Sequence, residues 1–295
     1  MRSTIKRLAG AIGKASVLLE AMPYLQAFRG KVFVIKTGGN ALSEEAARTQ
    51  LLQDLVFLQL AGIRPVLVHG GGPEISRAIK AAGGKAKFVQ GLRVTDRKTL
   101  GIVARTLRGR NRSLVKELRA FGGRTASIDC GRTGILETTR RRVGGADIGW
   151  VGKIQAVRPA AIERLLREEV IPVVVPMGRD RQGRLYNVNA DQAGAALAAG
   201  LKAEKFVLVT DVLGVLKDQK NKRGLIGHLR RSEANRLITR GVIQGGMIPK
   251  ARACIEALDR GVHKTHMIDI RIPHGLLLEI FTFEGIGTEI VHDEN

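Results

Sequence analysis

Short runs of apolar, mostly β-branched residues alternate along the whole chain with longer segments of helical periodicity. Strands buried on both faces have such continuous apolar runs, and they occur in parallel sheets that are covered by helices. The pattern therefore predicts an α/β protein, a three-layer αβα sandwich around an open, mainly parallel central sheet. The predicted strands are Val32–Ile35, Pro65–Val68, Ile171–Val175, Phe206–Val209 and His266–Ile270.

Segments with helical periodicity fill most of the chain between these strands. The segment from Cys130 to Lys153 lacks that periodicity, and its short alternating runs predict a hairpin region at one edge of the sheet. No proline- or serine-rich linker divides the chain, so a boundary near residue 190 rests on motif placement alone. The predicted helices are Ala46–Ala61, Pro73–Ala82, Leu100–Phe121, Ala160–Glu169, Ala190–Gly200, Ser232–Arg240 and Pro249–Arg260.

The first thirty residues are basic, and Glu20 is their only acid. This composition is typical of an organellar targeting segment, and a targeting role for residues 1–12 stays open. The same region carries an apolar stripe at helical spacing, with Pro23 placed to kink the helix. We favour an oligomerisation helix over residues 1–30. The stripe consists of Val17, Leu18, Ala21, Met22 and Leu25.

The chain of 295 residues has a formal net charge of +22, which would suit a polyanionic partner. Its basic residues are spread along the whole sequence, however, and aromatic residues make up only 4%. Base-stacking surfaces need more aromatic side chains, and no zinc-finger or RNA-binding motif occurs. We therefore expect no sequence-specific nucleic-acid binding.

Cys130 and Cys254 lie far apart, without another Cys or His at metal-ligand spacing. This argues against a disulfide framework or a zinc site and favours a reducing compartment. No apolar run reaches the length of a membrane span. We expect a cytoplasmic protein.

Four glycine-rich or charged turns stand out, three after predicted strands and the fourth at the start of a predicted helix. They are Lys36–Asn40, Gly70–Pro73, Thr210–Gly214 and Gly245–Lys250. Ligands of open α/β sheets bind at the carboxyl ends of the strands, and glycine turns expose backbone N–H groups to anions. Pro73 opens a helix whose N-terminus adds partial positive charge. These turns predict a site for an anionic ligand.

Two further features point to chemistry. Lys250 lies in the first turn of a helix, where a cation opposes the helix dipole, and this conflict suggests a functional role. Asn187, Asn189 and Asp191 alternate and would share one face of an extended segment, although Asp191 could equally be a helix N-cap. No Walker A loop, G-x-G-x-x-G motif or G-x-S-x-G motif occurs, which argues against P-loop enzymes, dinucleotide oxidoreductases and serine hydrolases.

Taken together, these motifs resemble the amino-acid kinase superfamily, and within it the N-acetylglutamate kinases that are sensitive to arginine. The resemblance runs from about Leu18 to Val291. It rests on "PYLQAFRGK", "IKTGGNAL", "LVHGGGPEI", "FVQGLRVTD", "NVNAD", "LVTDVLGVL", "GVIQGGMIPKARACIEAL", "RIPHGLLLEIF" and "EGIGTEIV" in that order.

The resemblance implies ATP-dependent phosphorylation of the side-chain carboxylate of N-acetyl-L-glutamate, in arginine biosynthesis. It implies that Lys36 and Lys250 stabilise the transferring phosphoryl group, that Asp191 holds both lysines, and that Mg²⁺ is held mainly by ATP. It divides the kinase region into an acyl-amino-acid lobe, residues 31–190, and an ATP lobe, residues 191–295.

The resemblance also assigns the binding residues. Those expected at the acyl substrate are Gly71, Gly72, Arg93, Asn187 and Asn189. Those expected at the nucleotide are Gly38, Gly39, Asp211, Gly214, Leu216, Val242, Gln244 and Gly246. Those expected at an arginine effector are Tyr24, His274, Glu284, Gly285 and Gly287.

The same resemblance implies a homo-oligomer, a hexamer built as a trimer of dimers, and a PII-type regulator in some members. For His274 a helix-cap role is an equally good interpretation. The chain departs from the family pattern at Leu213, at Ile270 and at Gly131–Gly134, and the last departure leaves the acyl-substrate preference open.

The chemistry supports the same roles on physical grounds. A carboxylate is already deprotonated at neutral pH, so its phosphorylation needs no general base. It does bring two anions together, and one pair of unit charges at 4 Å costs about 4 kcal/mol at an effective dielectric near 20. Lysines and backbone N–H groups would offset that repulsion. The alternatives are another carboxylate or carbamate kinase of this fold and a non-catalytic regulatory relative.

Overall fold

The computed structural model describes residues 19–39, 42–218, 224–283 and 285–293. The strands are β1 (Val32–Thr37), β2 (Arg64–His69), β3 (Phe88–Val89), β4 (Leu92–Arg93), β5 (Thr125–Asp129), β6 (Leu136–Val143), β7 (Ala146–Val157), β8 (Ile171–Val175), β9 (Met177–Arg179), β10 (Leu185–Asn187), β11 (Lys205–Thr210), β12 (His228–Arg230), β13 (Lys264–Asp269) and β14 (Thr288–Val291).

The helices alternate with these strands. They are α1 (residues 19–28), α2 (Glu45–Leu60), α3 (Gly72–Ala81), α4 (Arg97–Ala120), α5 (Cys130–Thr133), α6 (Ala160–Arg167), α7 (Ala190–Gly200), α8 (Arg231–Thr239), α9 (Met247–Asp259) and α10 (Gly275–Phe281).

The centre of the molecule is an eight-stranded sheet with the order β12-β14-β13-β11-β1-β2-β8-β5. The strands from β13 to β5 are parallel, and β14 runs antiparallel to β13. The chain leaves β1 toward β2 on one side and later returns to β11 on the other. At such a reversal of strand order a crevice opens beyond the carboxyl ends of the strands.

Alternate side chains of β1 enter different cores. Phe33 and Ile35 pack in a cluster with residues of α2, α4 and α10. Val34 packs on the opposite face with residues of α6, α7 and α9. Because strand side chains alternate, Lys36 leaves the sheet on the face of Val34, toward α7 and α9. The helices on both faces confirm the predicted three-layer α/β architecture.

The chain forms a second, smaller sheet that is separate from the central one. The β6–β7 hairpin closes with β9 and β10 into a four-stranded barrel. The predicted hairpin is therefore present, but its placement at an edge of the central sheet is wrong. The edge strand is β5, whose sequence Thr-Ala-Ser-Ile-Asp has too few apolar residues to predict a buried strand. Cys130 begins the helical turn α5 rather than a strand.

The other predicted elements are present with ends moved by a few residues. Helix α4 begins at Arg97, where Asp96 accepts a hydrogen bond from the backbone of Thr99. Helix α9 begins at Met247, so Lys250 is its fourth residue. Residues Asn187 to Asp191 are not one extended segment, because β10 ends at Asn187 and α7 begins at Ala190.

Helix α1 is continuous through Pro23 over residues 19–28. Its Leu19 and Met22 are exposed, while Phe28 packs edge-on against Phe33 of β1. Val17, Leu18 and residues 1–12 lie outside the described residues. In the described part of the chain, every helix is too short or too polar to cross a lipid bilayer.

Candidate active site

Two lysines from distant parts of the chain meet one aspartate at the centre of the crevice. Lys36 Nζ lies 2.5 Å from Asp191 Oδ1. Lys250 Nζ lies 3.7 Å from the other oxygen, Oδ2. Lys36 and Asp191 are 5% and 7% exposed, so the pair is buried, whereas Lys250 is half-buried. The structure thus brings together the three residues predicted to be catalytic.

The electrostatics of this trio favour a charged aspartate. Burial alone would raise the pKa of the Asp191 carboxyl, but the charges of Lys36 and Lys250 outweigh it and hold that pKa below its ordinary value. Burial lowers the pKa of the Lys36 ammonium, and Asp191 opposes this effect. One carboxylate between two ammonium groups leaves the trio itself with a net positive charge.

Local structure explains how Asp191 reaches both lysines. Asn189 is the N-cap of α7, and its side-chain oxygen accepts hydrogen bonds from the backbone of Asp191 and Gln192. Asp191 is therefore not the cap and its carboxylate remains available to the lysines. Asn189, predicted to bind substrate, uses its side-chain oxygen to start the helix, although it also borders the crevice.

A space of about 200 Å³, which we name the inner cavity, lies on one side of the trio. It is bordered by the turns after β1 and β2, by β10 and by the start of α7. All five residues predicted to bind the acyl substrate line it. With the two residues of the buried pair, these are Lys36, Gly71, Gly72, Arg93, Asn187, Asn189 and Asp191.

Arg93 is a second cation of the inner cavity, beside Lys36, and is 8% exposed. Its Nη2 donates to the carbonyl of Gly72 at 3.0 Å and to Ser76 Oγ at 2.9 Å. Phe88 lies under the guanidinium, with its ring centroid 4.7 Å from Cζ. The Nη1 atom is buried without a hydrogen-bond partner among the described residues. A buried donor of this kind is suited to an anionic ligand oxygen.

A larger space of about 530 Å³, the outer cavity, lies on the other side of the trio. Six of the residues predicted to bind nucleotide line it together with Lys250. They are Asp211, Gly214, Leu216, Val242, Gln244 and Gly246. The other two, Gly38 and Gly39, lie between the cavities, in an open cleft that also contains Asp211 and Lys250.

The glycine at position 39 is required by close packing. A Cβ atom there would collide with the ring of Pro73 and with the backbone of Gly72. Its absence allows the turn after β1 to lie against the N-terminus of α3, and both turns line the cleft. A glycine-lined cleft at a helix N-terminus is suited to a phosphate chain, and here it lies beside Lys250.

The residues predicted to bind an effector lie away from these cavities. Tyr24 is on α1 and stacks near Phe28, with ring centroids 6.3 Å apart. His274 starts α10 with a positive φ, and its Nδ1 lies 2.6 Å from Asp54 Oδ1. The Gly287 backbone donates to Glu279 Oε2 at 3.0 Å. Gly285 lies beside the Glu279 carboxylate. Glu284 lies outside the described residues.

A buried charged cluster between these positions was missed by sequence reasoning. His266 Nδ1 lies 2.7 Å from Glu279 Oε1, and its Nε2 lies 3.1 Å from Lys205 Nζ. Lys205 in turn lies over the ring of Phe28 in α1, 5.3 Å from its centroid. A lysine and a histidine inside apolar strands were the signal that could have identified this cluster.

A buried polar network beneath the inner cavity was also missed. Asn111 of α4 donates to the carbonyl of Val173 at 2.9 Å and lies 3.1 Å from His69 Nε2. Ser127 donates to the Asn111 oxygen. His69 directly precedes the glycine turn, and burial lowers its pKa from 6.5 to about 4. The network fixes the end of β2, where that turn begins.

No group of three or more His, Cys, Asp or Glu side chains in the described ranges could hold a metal ion. Asp211 is the carboxylate at the cleft.

A parallel sheet with two lysines and an aspartate between two cavities is the arrangement expected of an α/β phosphotransferase. Comparison with known proteins assigns the family. The Amino acid kinase family matches residues 31–269, and the chain belongs to this family.

Its curated relatives include acetylglutamate kinases. The acetylglutamate kinase of Heliobacterium modesticaldum is 44% identical over 292 residues, which cover 95% of this chain and 99% of that protein. The acetylglutamate kinase of Methanocaldococcus jannaschii is 45% identical over 293 residues, covering 96% and 97%. The protein is therefore a kinase.

Solved structures agree with the fold. N-acetylglutamate synthase from Neisseria gonorrhoeae, complexed with coenzyme A and N-acetyl-glutamate, superposes with a TM-score of 0.84 at 27% identity, over 95% of this chain. This chain spans 64% of the synthase chain. The same synthase was also solved with coenzyme A and L-arginine, with a TM-score of 0.82 at 26% identity, covering 95% of this chain and 65% of that chain.

Proposed function

We propose that this protein transfers the γ-phosphoryl group of ATP to the side-chain carboxylate of N-acetyl-L-glutamate, a step of arginine biosynthesis. The product is N-acetyl-L-glutamyl 5-phosphate. The observation that carries the proposal is the convergence of Lys36 and Lys250 on Asp191 between two cavities. The kinases to which the chain is 41–45% identical support the acyl substrate.

The inner cavity suits N-acetylglutamate. The unpaired Nη1 of Arg93 would bind the α-carboxylate, because a guanidinium can contact both oxygens of a planar anion. Asn187 would bind the acetamido group. The glycine turn with Gly71 and Gly72 would contact the side-chain carboxylate and direct it toward Lys36.

The outer cavity suits the nucleotide, and the cleft with Gly38, Gly39 and Lys250 would hold its phosphates. This arrangement corresponds to an acyl lobe over residues 31–190 and an ATP lobe over residues 191–295. Bound Mg²⁺ would neutralise phosphate charge, and we propose that ATP holds the ion.

In the reaction, a carboxylate oxygen of the substrate forms a bond to the γ-phosphorus. The bond from that phosphorus to the bridging oxygen breaks, and ADP leaves with the electron pair. No proton needs to be removed, since the carboxylate is already ionised. Lys36 and Lys250 offset the charge that collects on the migrating group, and Asp191 holds both lysines in place.

The experiment is an assay of ADP release and acyl phosphate formation with purified protein. N-acetylglutamate should be the preferred acceptor over glutamate, N-acetylaspartate and carbamate. Preference for carbamate or a free amino acid would favour another kinase of this fold. Absence of transfer to every acceptor would favour a non-catalytic regulatory relative.

We also propose feedback inhibition by L-arginine, bound near Tyr24, His274 and residues 284–287. The L-arginine complex of the structurally similar synthase supports this proposal. The buried cluster of Lys205, His266 and Glu279 connects α1 to the segment of Gly287 and would transmit or contact the effector. Inhibition by arginine that Glu279→Gln abolishes, with turnover otherwise retained, is the expected result.

The exposed apolar residues of α1 support oligomerisation through this helix. We propose a hexamer built as a trimer of dimers, located in the cytoplasm, with a PII-type protein as a candidate regulator. Light scattering before and after deletion of residues 1–28 tests the first point, with a fall from hexamer to dimer expected.

A further inference from the structure

Thr95 makes hydrogen bonds to three elements, which are β4, β7 and β10. It is 0% exposed and is the second residue after the end of β4. Its backbone N–H donates to the carbonyl of Ile148 at 2.9 Å, and its carbonyl accepts from Trp150 at 2.6 Å. Both partners belong to β7 of the small barrel. The backbone of Thr95 thus joins the β3–β4 hairpin to the barrel.

Its side chain makes two further hydrogen bonds, both to residues of the inner cavity. Thr95 Oγ1 donates to the carbonyl of Arg93 at 2.8 Å. The same oxygen accepts from Asn187 Nδ2 at 3.2 Å. One hydroxyl therefore fixes the backbone of Arg93 and the side chain of Asn187.

The direction of these bonds determines how the Asn187 amide is oriented. A threonine hydroxyl has a single proton, and here the Arg93 carbonyl accepts it. Toward Asn187 the hydroxyl can then only accept, so the amide nitrogen faces Thr95. The two polar atoms of a planar amide point in different directions, so the Asn187 oxygen points away from Thr95 and stays available to a ligand of the inner cavity, which Asn187 lines.

We propose that Thr95 is a positioning residue that sets acceptor specificity by presenting the Asn187 oxygen to the substrate. That oxygen accepts a hydrogen bond from the amide N–H of the N-acyl group. The inference rests on the proposed function and deepens it. It predicts that the site selects N-acyl amides over acyl esters, because an ester has an oxygen where the amide has its N–H donor.

The test compares wild-type protein with Thr95→Val, which keeps the shape but removes the hydroxyl, and Thr95→Ser, which keeps the hydroxyl. The acceptors are N-acetylglutamate and 2-acetoxyglutarate, its ester analogue. Circular dichroism melting first establishes that each variant folds. Phosphoryl transfer is then measured at saturating ATP, and the KM for ATP is measured separately.

Wild-type protein should use the amide at least about 10-fold better than the ester in kcat/KM, since a buried acceptor left unpaired is costly. Thr95→Val should raise the KM for N-acetylglutamate about 10-fold and remove most of this preference, with the KM for ATP changed less than about twofold. Thr95→Ser should retain both wild-type properties.

Four results would overturn the inference. Equal use of amide and ester by the wild type excludes it even if no variant folds. Retention of the preference by Thr95→Val, or a loss of kcat with both acceptors and an equal rise in the KM for ATP, would leave Thr95 a purely structural role. Failure of the wild type to phosphorylate N-acetylglutamate would overturn the proposed function itself and the inference with it.

Discussion

The inner and outer cavities flank the same two lysines but are built differently. The inner cavity, about 200 Å³, is lined by strand ends and buried side chains, among them Arg93 and Asp191 at 8% and 7% exposed. The outer cavity, about 530 Å³, is lined mainly by loops in which Asp211, Gln244 and Gly246 are exposed. Buried hydrogen bonds fix the side chains of the inner cavity, whereas loops shape the outer cavity.

This difference matches two recognition tasks. A small acceptor with three polar groups is distinguished from close analogues only by donors and acceptors that are held in place, because unpaired buried polar groups then reject the wrong compound. A nucleotide offers a large surface and several charges, so loops and backbone N–H groups suffice. Substitutions should therefore affect acceptor and ATP separately, except at the lysines between the cavities.

The largest effect is expected where the cavities meet. Lys36→Met and Lys250→Met should each lower kcat at least about 100-fold, because each removes a charge that stabilises the migrating phosphoryl group. Steady-state kinetics with both substrates saturating measures this. Lys116→Met, at an exposed position on α4, serves as the control. Turnover near the wild-type rate in either variant would exclude that lysine from the chemistry. The two cavities would then no longer share it as a catalytic residue.

The next effect concerns the support of the inner cavity. Burial holds the pKa of His69 at about 4 in the folded protein, below its ordinary 6.5, and the charge of Arg110 contributes. Between these pH values the unfolded chain binds a proton that the folded chain does not. The contribution to stability is complete above about pH 6.5 and is lost as the pH falls toward 4. It amounts to about 3 kcal/mol, at about 1.4 kcal/mol for each pKa unit.

Urea unfolding of wild-type protein and His69→Gln between pH 7 and 4.5 measures this contribution. The difference in free energy of unfolding between the two proteins should shrink as the pH falls. His263→Gln, at an exposed position, should run parallel to the wild type. A difference between wild type and His69→Gln that stays constant with pH would show that His69 is not held neutral by the fold.

A smaller and more selective effect is expected within the inner cavity. Arg93→Lys should raise the KM for N-acetylglutamate about 10- to 100-fold, because lysine cannot reproduce the planar two-oxygen contact. The KM for ATP should change less than about twofold. Arg97→Lys on the exposed start of α4 is the matched control. Equal changes in both KM values would contradict the separation of the two cavities.

The smallest effect is expected in the outer cavity. Gly214 has a φ of 140°, and a Cβ atom there would lie 2.5 Å from Thr288 Oγ1. Gly214→Ala should cost about 1–3 kcal/mol of strain, raise the KM for ATP several-fold and lower the Tm by a few degrees. Gly227→Ala, where a Cβ would meet open space, should do neither. An increased KM for N-acetylglutamate with unchanged ATP binding would reverse the assignment of the cavities.

Much of this architecture could be predicted because its signals are local. Runs such as Ile171–Val175 identify buried strands by their apolar residues alone, and the glycine turns that follow β1 and β2 are readable from composition. Strand β5 and the barrel could not be predicted in the same way. Their sequences mix polar and apolar residues, and their stability comes from partners distant in the chain.

Sequence-based prediction has the same limit at the site. Lys36, Asp191 and Lys250 stand out in the sequence through their motifs, whereas Thr95, His69 and Asn111 do not. A threonine and an asparagine have roles only through the groups they contact, and Asn111 reaches His69 across 42 positions. Asn189 shows that a motif can also mislead. It was predicted to bind substrate, but its side-chain oxygen caps α7.

The sequence by itself determined which residues carry charge into strand ends, which turns can bind anions and which segments become strands or helices, because periodicity and turn chemistry act over a few residues. Only the tertiary structure decided that β1 lies between β2 and β11, that Lys36 faces α7 and α9, and that one threonine hydroxyl joins Arg93 to Asn187. Strand order and side-chain register depend on packing between segments far apart in the chain, and no local pattern encodes them.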